Sequence, residues 1–320
     1  MPNGPVLVTG GCGFIGSNLV RRLVKARGEV RVFDNLSRGS LRLISDVADV
    51  RIVRGDIRNP GALKDAMAGV RTVIHLAAAG SVVDSVMDPA ENFENNVVGT
   101  FNVLNCARLA GVEKIVFAST GGALIGNAAP PVDENSVPRP ISPYGASKLC
   151  GEGYCHSFGQ AYGIQTVALR FANVYGPYSA HKKGAITAFI RGVLTGRPIQ
   201  IFGDGKATRD FLYVEDLCAG IERALMTQLA PGSVFHLASG VETQIGELAR
   251  MVAMLAGRPE HPIVFVHKRV GEVERNFARA DAARKALGFQ PAWNLETGLM
   301  ATIEWFRNAN AELSEPTSDA

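Results

Sequence analysis

The chain has 320 residues, of which 47% are apolar and 20% are charged, and its formal net charge is +3. This composition excludes a disordered chain, a collagen-like fibre and a small disulfide scaffold, and the length suggests one large domain or two smaller ones. The small net charge gives no argument for a nucleic-acid partner.

Short β-rich runs alternate with helical patterns along the first half of the chain. The predicted strands are Pro5–Thr9, Glu29–Phe33, Val50–Arg54, Arg71–Leu76 and Lys114–Ala118, followed by Gln165–Arg170 and Ser233–Ala238. Helical patterns such as Ser17–Lys25 and Ala90–Ala110 separate the first strands. This alternation predicts an α/β fold built on a doubly wound parallel sheet of the Rossmann type.

The second half of the chain is less regular and carries more proline, glycine and isolated charge. We expect residues 1–174 to form the sheet domain and residues 213–240 to return to it. Residues 175–212 and 241–306 are expected to form a smaller α/β lobe. Residues 307–320 are small and polar, which predicts a flexible tail.

Three glycines lie between the first predicted strand and the first predicted helix. Gly10, Gly13 and Gly16 have the spacing G-x-x-G-x-x-G. In a strand–turn–helix unit, the first glycine allows a tight turn, the second lets backbone N–H groups approach a pyrophosphate, and the third packs the helix on the strand. The positive end of the helix dipole favours the same ligand. The segment therefore predicts a dinucleotide-binding loop.

An acidic residue ends the second predicted strand. A carboxylate at Asp34 accepts hydrogen bonds from the ribose hydroxyls of adenosine and repels a 2′-phosphate, which favours NAD over NADP. Arg38, four residues later, is a weaker signal in the opposite direction.

A tyrosine and a lysine lie four residues apart in a predicted helix. Ser142 is a good N-cap and Pro143 fits the first helical position, so Tyr144 and Lys148 are placed on one helical face. An ammonium near a phenol lowers the pKa of the phenol, so that tyrosine becomes a base near neutral pH. The pair predicts a catalytic acid/base.

Two hydroxyl residues end the predicted strand Lys114–Ala118. Ser119 and Thr120 lie at the carboxyl edge of the sheet, where ligands of such folds bind. Either hydroxyl could hydrogen-bond a sugar hydroxyl or ketone, and the sequence leaves the choice between them open. We take Thr120 as the catalytic hydroxyl and Ser119 as a cofactor contact.

These three motifs together resemble the extended short-chain dehydrogenase/reductase family, and more closely its NAD-dependent nucleotide-sugar epimerases of the UDP-glucose 4-epimerase type. The resemblance covers the chain from Val6 to about Phe306. It implies that the first domain binds NAD and that the lobe binds the substrate. The cofactor-binding residues that it implies are Gly10, Gly13, Phe14, Ile15, Gly16, Asp34, Asn35, Ser37, Asp56, Ile57, Leu76, Ala77, Ala78, Asn95, Ser119, Tyr144 and Lys148.

The same resemblance implies a substrate site in the lobe. Asn173 matches the residue that contacts the phosphates of the nucleotide sugar, and Phe202 lies where the family has an aromatic against uracil. Arg209 and Arg269 match the arginines that clamp the pyrophosphate, a role for which the planar guanidinium is suited. Asn276 falls near a position that limits bulk at C2 of the sugar.

The loop after Thr120 separates the possible reactions. Dehydratases of the family carry an Asp-Glu pair there and decarboxylases carry a Glu, whereas this chain has Gly121-Gly122. The resemblance therefore implies a UDP-hexose 4-epimerase that uses tightly bound NAD. The alternatives are a 4-reductase, dehydrogenase or decarboxylase of the same family, or a non-catalytic NAD-binding protein, although such proteins typically lose the Tyr/Lys pair.

Several expectations concern the setting of the protein. No apolar run reaches the roughly 18 residues of a membrane helix, and the first four residues lack the basic region of a signal peptide. The five cysteines form no C-x-x-C pair and have no zinc-finger spacing. We therefore expect free thiols in the reducing cytoplasm, no metal and no membrane partner. The resemblance also implies a homodimer that pairs the helices Ala90–Ala110 and Tyr144–Tyr162.

Overall fold

The computed structural model describes residues 4–27, 29–268 and 273–314. The strands are β1 (Val6–Thr9), β2 (Val30–Asp34), β3 (Val50–Arg54), β4 (Thr72–His75), β5 (Lys114–Thr120), β6 (Gln165–Phe171), β7 (Asn173–Tyr175), β8 (Ile199–Phe202), β9 (Thr208–Arg209), β10 (Phe211–Tyr213), β11 (Ser233–Leu237), β12 (Thr243–Gln244), β13 (Ile263–Val266) and β14 (Arg275–Asn276). The helices are α1 (Phe14–Arg27), α2 (Pro60–Ala66), α3 (Val82–Met87), α4 (Pro89–Phe93), α5 (Gly99–Leu109), α6 (Gly122–Ile125), α7 (Pro143–Tyr162), α8 (Ala185–Thr195), α9 (Val214–Met226), α10 (Ile245–Leu255), α11 (Asp281–Leu287) and α12 (Leu295–Ser314). A 3₁₀ turn (Leu41–Ile44) and a π-helical turn (Glu94–Val98) complete the described elements.

A seven-stranded, wholly parallel sheet forms the larger part of the molecule, with the strand order β11-β6-β5-β4-β1-β2-β3. Neighbouring residues on a strand point to opposite faces, so Leu7 and Val8 belong to different core clusters, one on each side of the sheet. Because helices cover both faces, the inner strands are buried and mostly apolar, whereas the edge strand β3 is partly exposed and carries Arg51 and Arg54. The predicted α/β fold with a Rossmann-type sheet is confirmed, and all seven predicted strands belong to this sheet.

A separate apolar cluster forms the core of a second, smaller region, where residues of α8, β8, α10 and α12 pack together. Its strands pair in small sheets: β7 with β10, β8 with β13, and β9 between β12 and β14. Asp216 on α9 connects the two regions by accepting the N–H groups of Ala292 (2.8 Å) and Trp293 (3.0 Å). The exact domain boundaries stay predictions.

The expectation of a flexible tail from residue 307 needs one correction. The last helix continues to Ser314, and the Arg307 guanidinium donates to the carbonyl of Ala256 at 2.8 Å. The small polar residues from position 307 onward suggested a tail. They instead continue a helix whose apolar face ends with the buried Ile303 and Phe306.

The described residues contain neither a membrane-spanning helix nor a metal-binding cluster. None of the described helices combines the length and the apolar character that a bilayer crossing requires. The same residues hold no group of three or more His, Cys, Asp or Glu side chains placed to bind a metal ion.

Candidate active site

The glycine loop after β1 is packed most tightly at its first and third glycines and less tightly at the second. Gly10 has a φ of +72° and lies so close to the next loop that a Cβ would come within 2.7 Å of the Ala77 nitrogen. A Cβ on Gly16 would lie 2.2 Å from the Gly10 oxygen, so helix α1 packs directly on the turn. At Gly13, in contrast, a Cβ would meet only the Gly10 oxygen, at 3.3 Å.

Helix α1 begins at Phe14, so the N–H groups of Phe14 and Ile15 lie in its first turn, where a helix offers no internal acceptor. These donors flank Gly13 and are suited to an anion such as a diphosphate. The loop therefore has the donors that a dinucleotide requires, and at Gly13 it carries no side chain to keep the ligand away.

Asp34, at the end of β2, connects the glycine loop to the turn that follows β2. One carboxylate oxygen accepts the N–H of Cys12 at 2.9 Å, and the other accepts the N–H of Leu36 at 2.8 Å. Leu36 itself has a φ of +62°, a left-handed conformation within the turn after β2. Each oxygen keeps a lone pair for a ribose hydroxyl.

The turn after β2 is hydrogen-bonded to the turn after β3. The Asn35 amide donates to Asp56 at 2.9 Å, and its oxygen accepts both the N–H and the hydroxyl of Ser37. Arg58 hydrogen bonds hold the pKa of the Asp56 carboxyl well below its usual range. Ile57 is buried behind this turn.

Arg38, the residue whose charge weakly favoured NADP over NAD in the sequence, pairs with acidic side chains. Its guanidinium lies 3.4 Å from both Asp84 and Glu91. This engagement weakens the case for a 2′-phosphate ligand.

The loop after β4 lies against the glycine loop through a buried histidine. The N–H of Ala77 donates to the Thr9 hydroxyl at 3.3 Å. That hydroxyl is hydrogen-bonded to Nδ1 of His75 at 2.7 Å, and Nε2 of His75 is hydrogen-bonded to the Thr100 hydroxyl at 3.0 Å. Burial and the nearby Lys148 lower the pKa of His75 to about 3. The neutral ring therefore holds β1, β4 and α5 in register, with Leu76, Ala77 and Ala78 half-buried beside the glycines.

The two asparagines of the π-helical turn have different surroundings. Asn95 donates to the Glu91 carbonyl of its own helix at 3.0 Å. Asn96 is buried, accepts the N–H of Ala79 at 2.8 Å, and donates to the Ser147 hydroxyl at 3.1 Å. Asn96, which was not among the predicted residues, therefore connects the loop after β4 with helix α7. The Asn-Asn pair was the only signal for it in the sequence.

The end of β5 separates the two candidate hydroxyls. The Thr120 hydroxyl hydrogen-bonds to the Tyr144 side chain. Ser119 instead donates to the buried Glu152 carboxylate at 2.5 Å. Thr120 is thus the hydroxyl that lies at the phenol, and Ser119 is held by a residue that the sequence analysis did not single out.

Helix α7 begins as predicted, with Ser142 as the N-cap and Pro143 in the first turn, and it carries both Tyr144 and Lys148. The Lys148 ammonium donates to the Ala118 carbonyl at 2.8 Å and lies 5.9 Å from the centre of the Tyr144 ring.

Lys148 was expected to lower the pKa of Tyr144, but the protein residues alone do not produce a lowered pKa. Burial raises the pKa of Tyr144 to about 12, although the hydrogen bond from Thr120 acts in the opposite direction. Burial also lowers the pKa of Lys148 to about 8. The loss of water around the phenol outweighs a lysine at this distance, so a further positive charge beside the ring is needed to make the phenol a base at neutral pH.

The loop after Thr120 is closely covered by both regions. A Cβ on Gly122 would lie 1.8 Å from the amide nitrogen of Asn276 in the second region, and one on Gly121 would lie 3.1 Å from Nδ1 of His236 on β11 of the central sheet. Asn276 is the register partner of Arg209 in the sheet β12-β9-β14. One small sheet thus brings a predicted substrate arginine next to the residue that covers the catalytic loop.

The remaining predicted substrate residues lie on short elements of the second region. Asn173 begins β7, where its N–H donates to the Asp210 carbonyl at 2.9 Å, and Phe202 ends β8 half-buried. The Arg209 guanidinium donates to the Thr208 carbonyl at 2.7 Å. Arg269 lies outside the described residues.

Comparisons with known proteins agree with this geometry. Residues 6–238 match the model of the NAD dependent epimerase/dehydratase family. The chain is 38% identical to a UDP-glucose 4-epimerase of Mycolicibacterium smegmatis, over 94% of this chain and 98% of the relative, and 31% identical to a dTDP-glucose 4,6-dehydratase of Streptomyces niveus, over 96% and 94%. The crystal structure of a Thermus thermophilus UDP-glucose 4-epimerase complex with NAD superposes with a TM-score of 0.89 at 36% identity, covering 95% of this chain and 99% of that one.

Proposed function

Because this chain belongs to the NAD-dependent epimerase/dehydratase family and NAD is its cofactor, we propose that it inverts C4 of a UDP-hexose by transient oxidation. One observation carries the proposal: Thr120, Tyr144 and Lys148 converge at the end of β5, and no acidic side chain lies in the adjoining loop. This arrangement suits a proton transfer at one hydroxyl group followed by its reversal.

The cofactor would lie across the carboxyl edge of the sheet, as in other folds of this kind. Gly10, Gly13 and Gly16 with the N–H groups of Phe14 and Ile15 would hold its diphosphate, and Asp34, Asn35 and Ser37 its adenosine ribose. Asp56 and Ile57 would border the adenine. Leu76, Ala77, Ala78 and Asn95 would border the nicotinamide half, together with Ser119, Tyr144 and Lys148.

The catalytic residues act on the C4 hydroxyl of the sugar. When bound, NAD⁺ supplies a reversible hydride acceptor and a positively charged ring. Tyr144 then takes the proton of the hydroxyl and later returns it, while Thr120 hydrogen-bonds the same oxygen and Lys148 keeps a positive charge below the phenol. Inversion requires that the 4-keto sugar presents its other face before C4 takes its hydride back and the oxygen takes back its proton.

The second region would hold the part of the substrate that does not react. Arg209 and Arg269 would bind the diphosphate, with Asn173 beside it and Phe202 against the uracil. A substrate held by its diphosphate keeps the sugar free to turn, which an epimerase needs.

The choice of epimerase over dehydratase depends on the loop at Gly121-Gly122. Loss of water from the sugar needs an additional acid and base, and this loop has none. The amide of Asn276 also lies where a side chain on Gly122 would begin. A 4-reductase or dehydrogenase fits the same three catalytic residues and is the second candidate.

The test is NMR of the purified protein with UDP-glucose, UDP-N-acetylglucosamine and UDP-glucuronate in separate tubes, each with catalytic NAD⁺. Formation of a 4-epimer without net NADH supports the proposal and identifies the sugar. Stoichiometric NADH or a stable keto product with no epimer would replace the epimerase by a dehydrogenase.

We also propose that two copies pair through helices α5 and α7. Exposed apolar side chains form a stripe there, with Phe101 and Leu109 on α5 and Tyr154 and Tyr162 on α7. Phe101 and Tyr154 meet edge to face at 5.7 Å. Light scattering of the wild-type protein should give twice the monomer mass, and Leu109→Lys should reduce the measured mass to that of one monomer.

All five cysteines are free thiols, which favours a reducing compartment. We therefore propose that the protein acts in the cytoplasm.

A further inference from the structure

Three consecutive residues at the end of β5 are each bound to helix α7. Thr120 hydrogen-bonds to Tyr144, the Ala118 carbonyl accepts from Lys148 at 2.8 Å, and the Ser119 hydroxyl donates to Glu152 at 2.5 Å. The three helix residues are spaced four apart, so they lie in one row on the helix. The first two contacts belong to the catalytic residues, and the third belongs to a residue with no assigned role.

Glu152 is buried and held from a second strand. Arg170 on β6 binds it with two hydrogen bonds, Nε to Oε1 and Nη2 to Oε2, both at 2.9 Å. Glu152 and Arg170 are 8% and 4% exposed. Ser119 and Arg170 are register partners on β5 and β6, so the carboxylate lies across both strands. A bidentate pair in this setting has a defined geometry and does not rotate freely.

Resting on the proposed function, we propose that Glu152 is a positioning residue: it holds Ser119 against α7 and thereby presents Thr120 to Tyr144. With Ser119 anchored to Glu152, the next residue of the strand, Thr120, has its hydroxyl at the phenol of Tyr144. Glu152 touches no reacting atom and acts through Ser119.

The same carboxylate faces the catalytic lysine from one turn further along the helix. The charged and titratable groups around Lys148 are Tyr144, Glu152 and Cys155 on α7 and His75 on β4. Negative charge on Cys155 or on Glu152 raises the pKa of Lys148, against the larger effect of burial. Burial raises the pKa of the Cys155 thiol, so this group is neutral at pH 8. Glu152 is therefore the charge that keeps Lys148 protonated.

The test compares Glu152→Gln, Ser119→Ala, the double variant and Cys155→Ala as the matched control on the same helix, all as holoenzyme. In Glu152→Gln and in Ser119→Ala, kcat should fall about 10-fold while KM is unchanged, because the proposed substrate-binding residues lie in the other region. The double variant should lose no more than Glu152→Gln alone, since coupled residues are not additive. Losses that multiply, or an equal rise in KM, would overturn the positioning role.

A second readout does not require turnover. With lysines labelled at ¹³Cε and Lys148 assigned by Lys148→Arg, the titration midpoint of Lys148 should fall by about one pH unit in Glu152→Gln. It should stay in place in Ser119→Ala and in Cys155→Ala. An unmoved midpoint in Glu152→Gln would overturn the electrostatic part, even if the wild-type protein epimerises none of the sugars offered. If Glu152→Gln does not fold, Ser119→Ala decides alone: unchanged kcat contradicts the positioning role.

Discussion

The two regions of this molecule hold their functional side chains in different ways. In the sheet domain, Asp34, His75 and Glu152 are buried and bound by groups from at least two other elements. In the second region, Arg209 and Asn276 lie on strands of two residues each. Under the proposed function, cofactor binding and proton transfer would depend on a preformed frame, whereas substrate binding would depend on side chains carried by very short strands. The predictions below test this difference.

The largest effect is expected at the centre of the frame. Tyr144→Phe removes the group that exchanges the proton, and kcat should fall by about 10²–10⁴-fold. Bound NAD, measured after denaturing release, should stay at the wild-type level because the ring remains. Turnover at more than about a tenth of the wild-type rate would exclude Tyr144 as the acid/base.

On the substrate side, Arg209→Ala should raise KM for the nucleotide sugar. A lost hydrogen bond to a charged group costs about 1.5–3 kcal/mol, which is roughly 10–150-fold in KM. Arg275→Ala is the matched control, since Arg275 is on the neighbouring strand but pairs with Glu242 at an exposed surface. Steady-state kinetics that change equally in both variants would remove Arg209 from the substrate site.

The glycine loop allows cofactor binding to be separated from folding. Gly13→Ala places a methyl group beside the proposed diphosphate position and 3.3 Å from the Gly10 oxygen, so we expect NAD affinity to fall by about 1–3 kcal/mol, with a smaller drop in the melting temperature of the apoprotein than in Gly16→Ala. Gly16→Ala should lower both, because its Cβ would meet the Gly10 oxygen at 2.2 Å. Calorimetric titration and apoprotein melting check the pair. Unchanged affinity in Gly13→Ala would place the diphosphate elsewhere.

Mild acid should weaken the sheet domain through its buried histidines. Burial lowers the pKa of His75 to about 3 and of His236 to about 4, from a reference value of 6.5. Because the unfolded chain takes up these protons first, stability is full above about pH 6.5 and falls below it by up to about 1.4 kcal/mol per pH unit for each histidine.

Urea unfolding between pH 7 and pH 4.5 measures this slope. His236→Gln should reduce it, and the exposed His156→Gln should leave it unchanged. A slope that is the same in all three proteins would contradict neutral, buried histidines in the frame.

The sequence predicted the parts of the fold that repeat a simple pattern. All seven strands of the parallel sheet were recognisable, since the inner ones are buried on both faces and read as short apolar runs, and the edge strand β3 still carries three β-branched residues in five. The two-residue strands β9, β12 and β14 are too short for any periodicity and are defined by pairing between distant segments. Helix α12 was predicted to end too early because its last turns are polar.

At the site, the local motifs were predictable and the long-range contacts were not. Tyr144 and Lys148 are identified by their spacing within one helix. The choice of Thr120 over Ser119 depends on Glu152, 33 residues away from Ser119. The buried role of Asn96 depends on a π-helical turn, whose extra residue shifts the facing side chain.

The pKa of Tyr144 could not be predicted from the sequence either, because burial affects it more than the nearby lysine does. Spacing alone places the lysine on the right face but gives neither its distance from the phenol nor the depth of the site.

The central claim, transient oxidation at C4, is tested most directly by a substrate with deuterium at that carbon. The protein is incubated with UDP-[4-²H]glucose, or with the corresponding label on whichever UDP-sugar it epimerises, and the product is analysed by NMR and mass spectrometry. The account predicts a 4-epimer that keeps the deuterium at C4 in ordinary water. Loss of the deuterium to solvent, or no epimer from any of the labelled sugars, would contradict it.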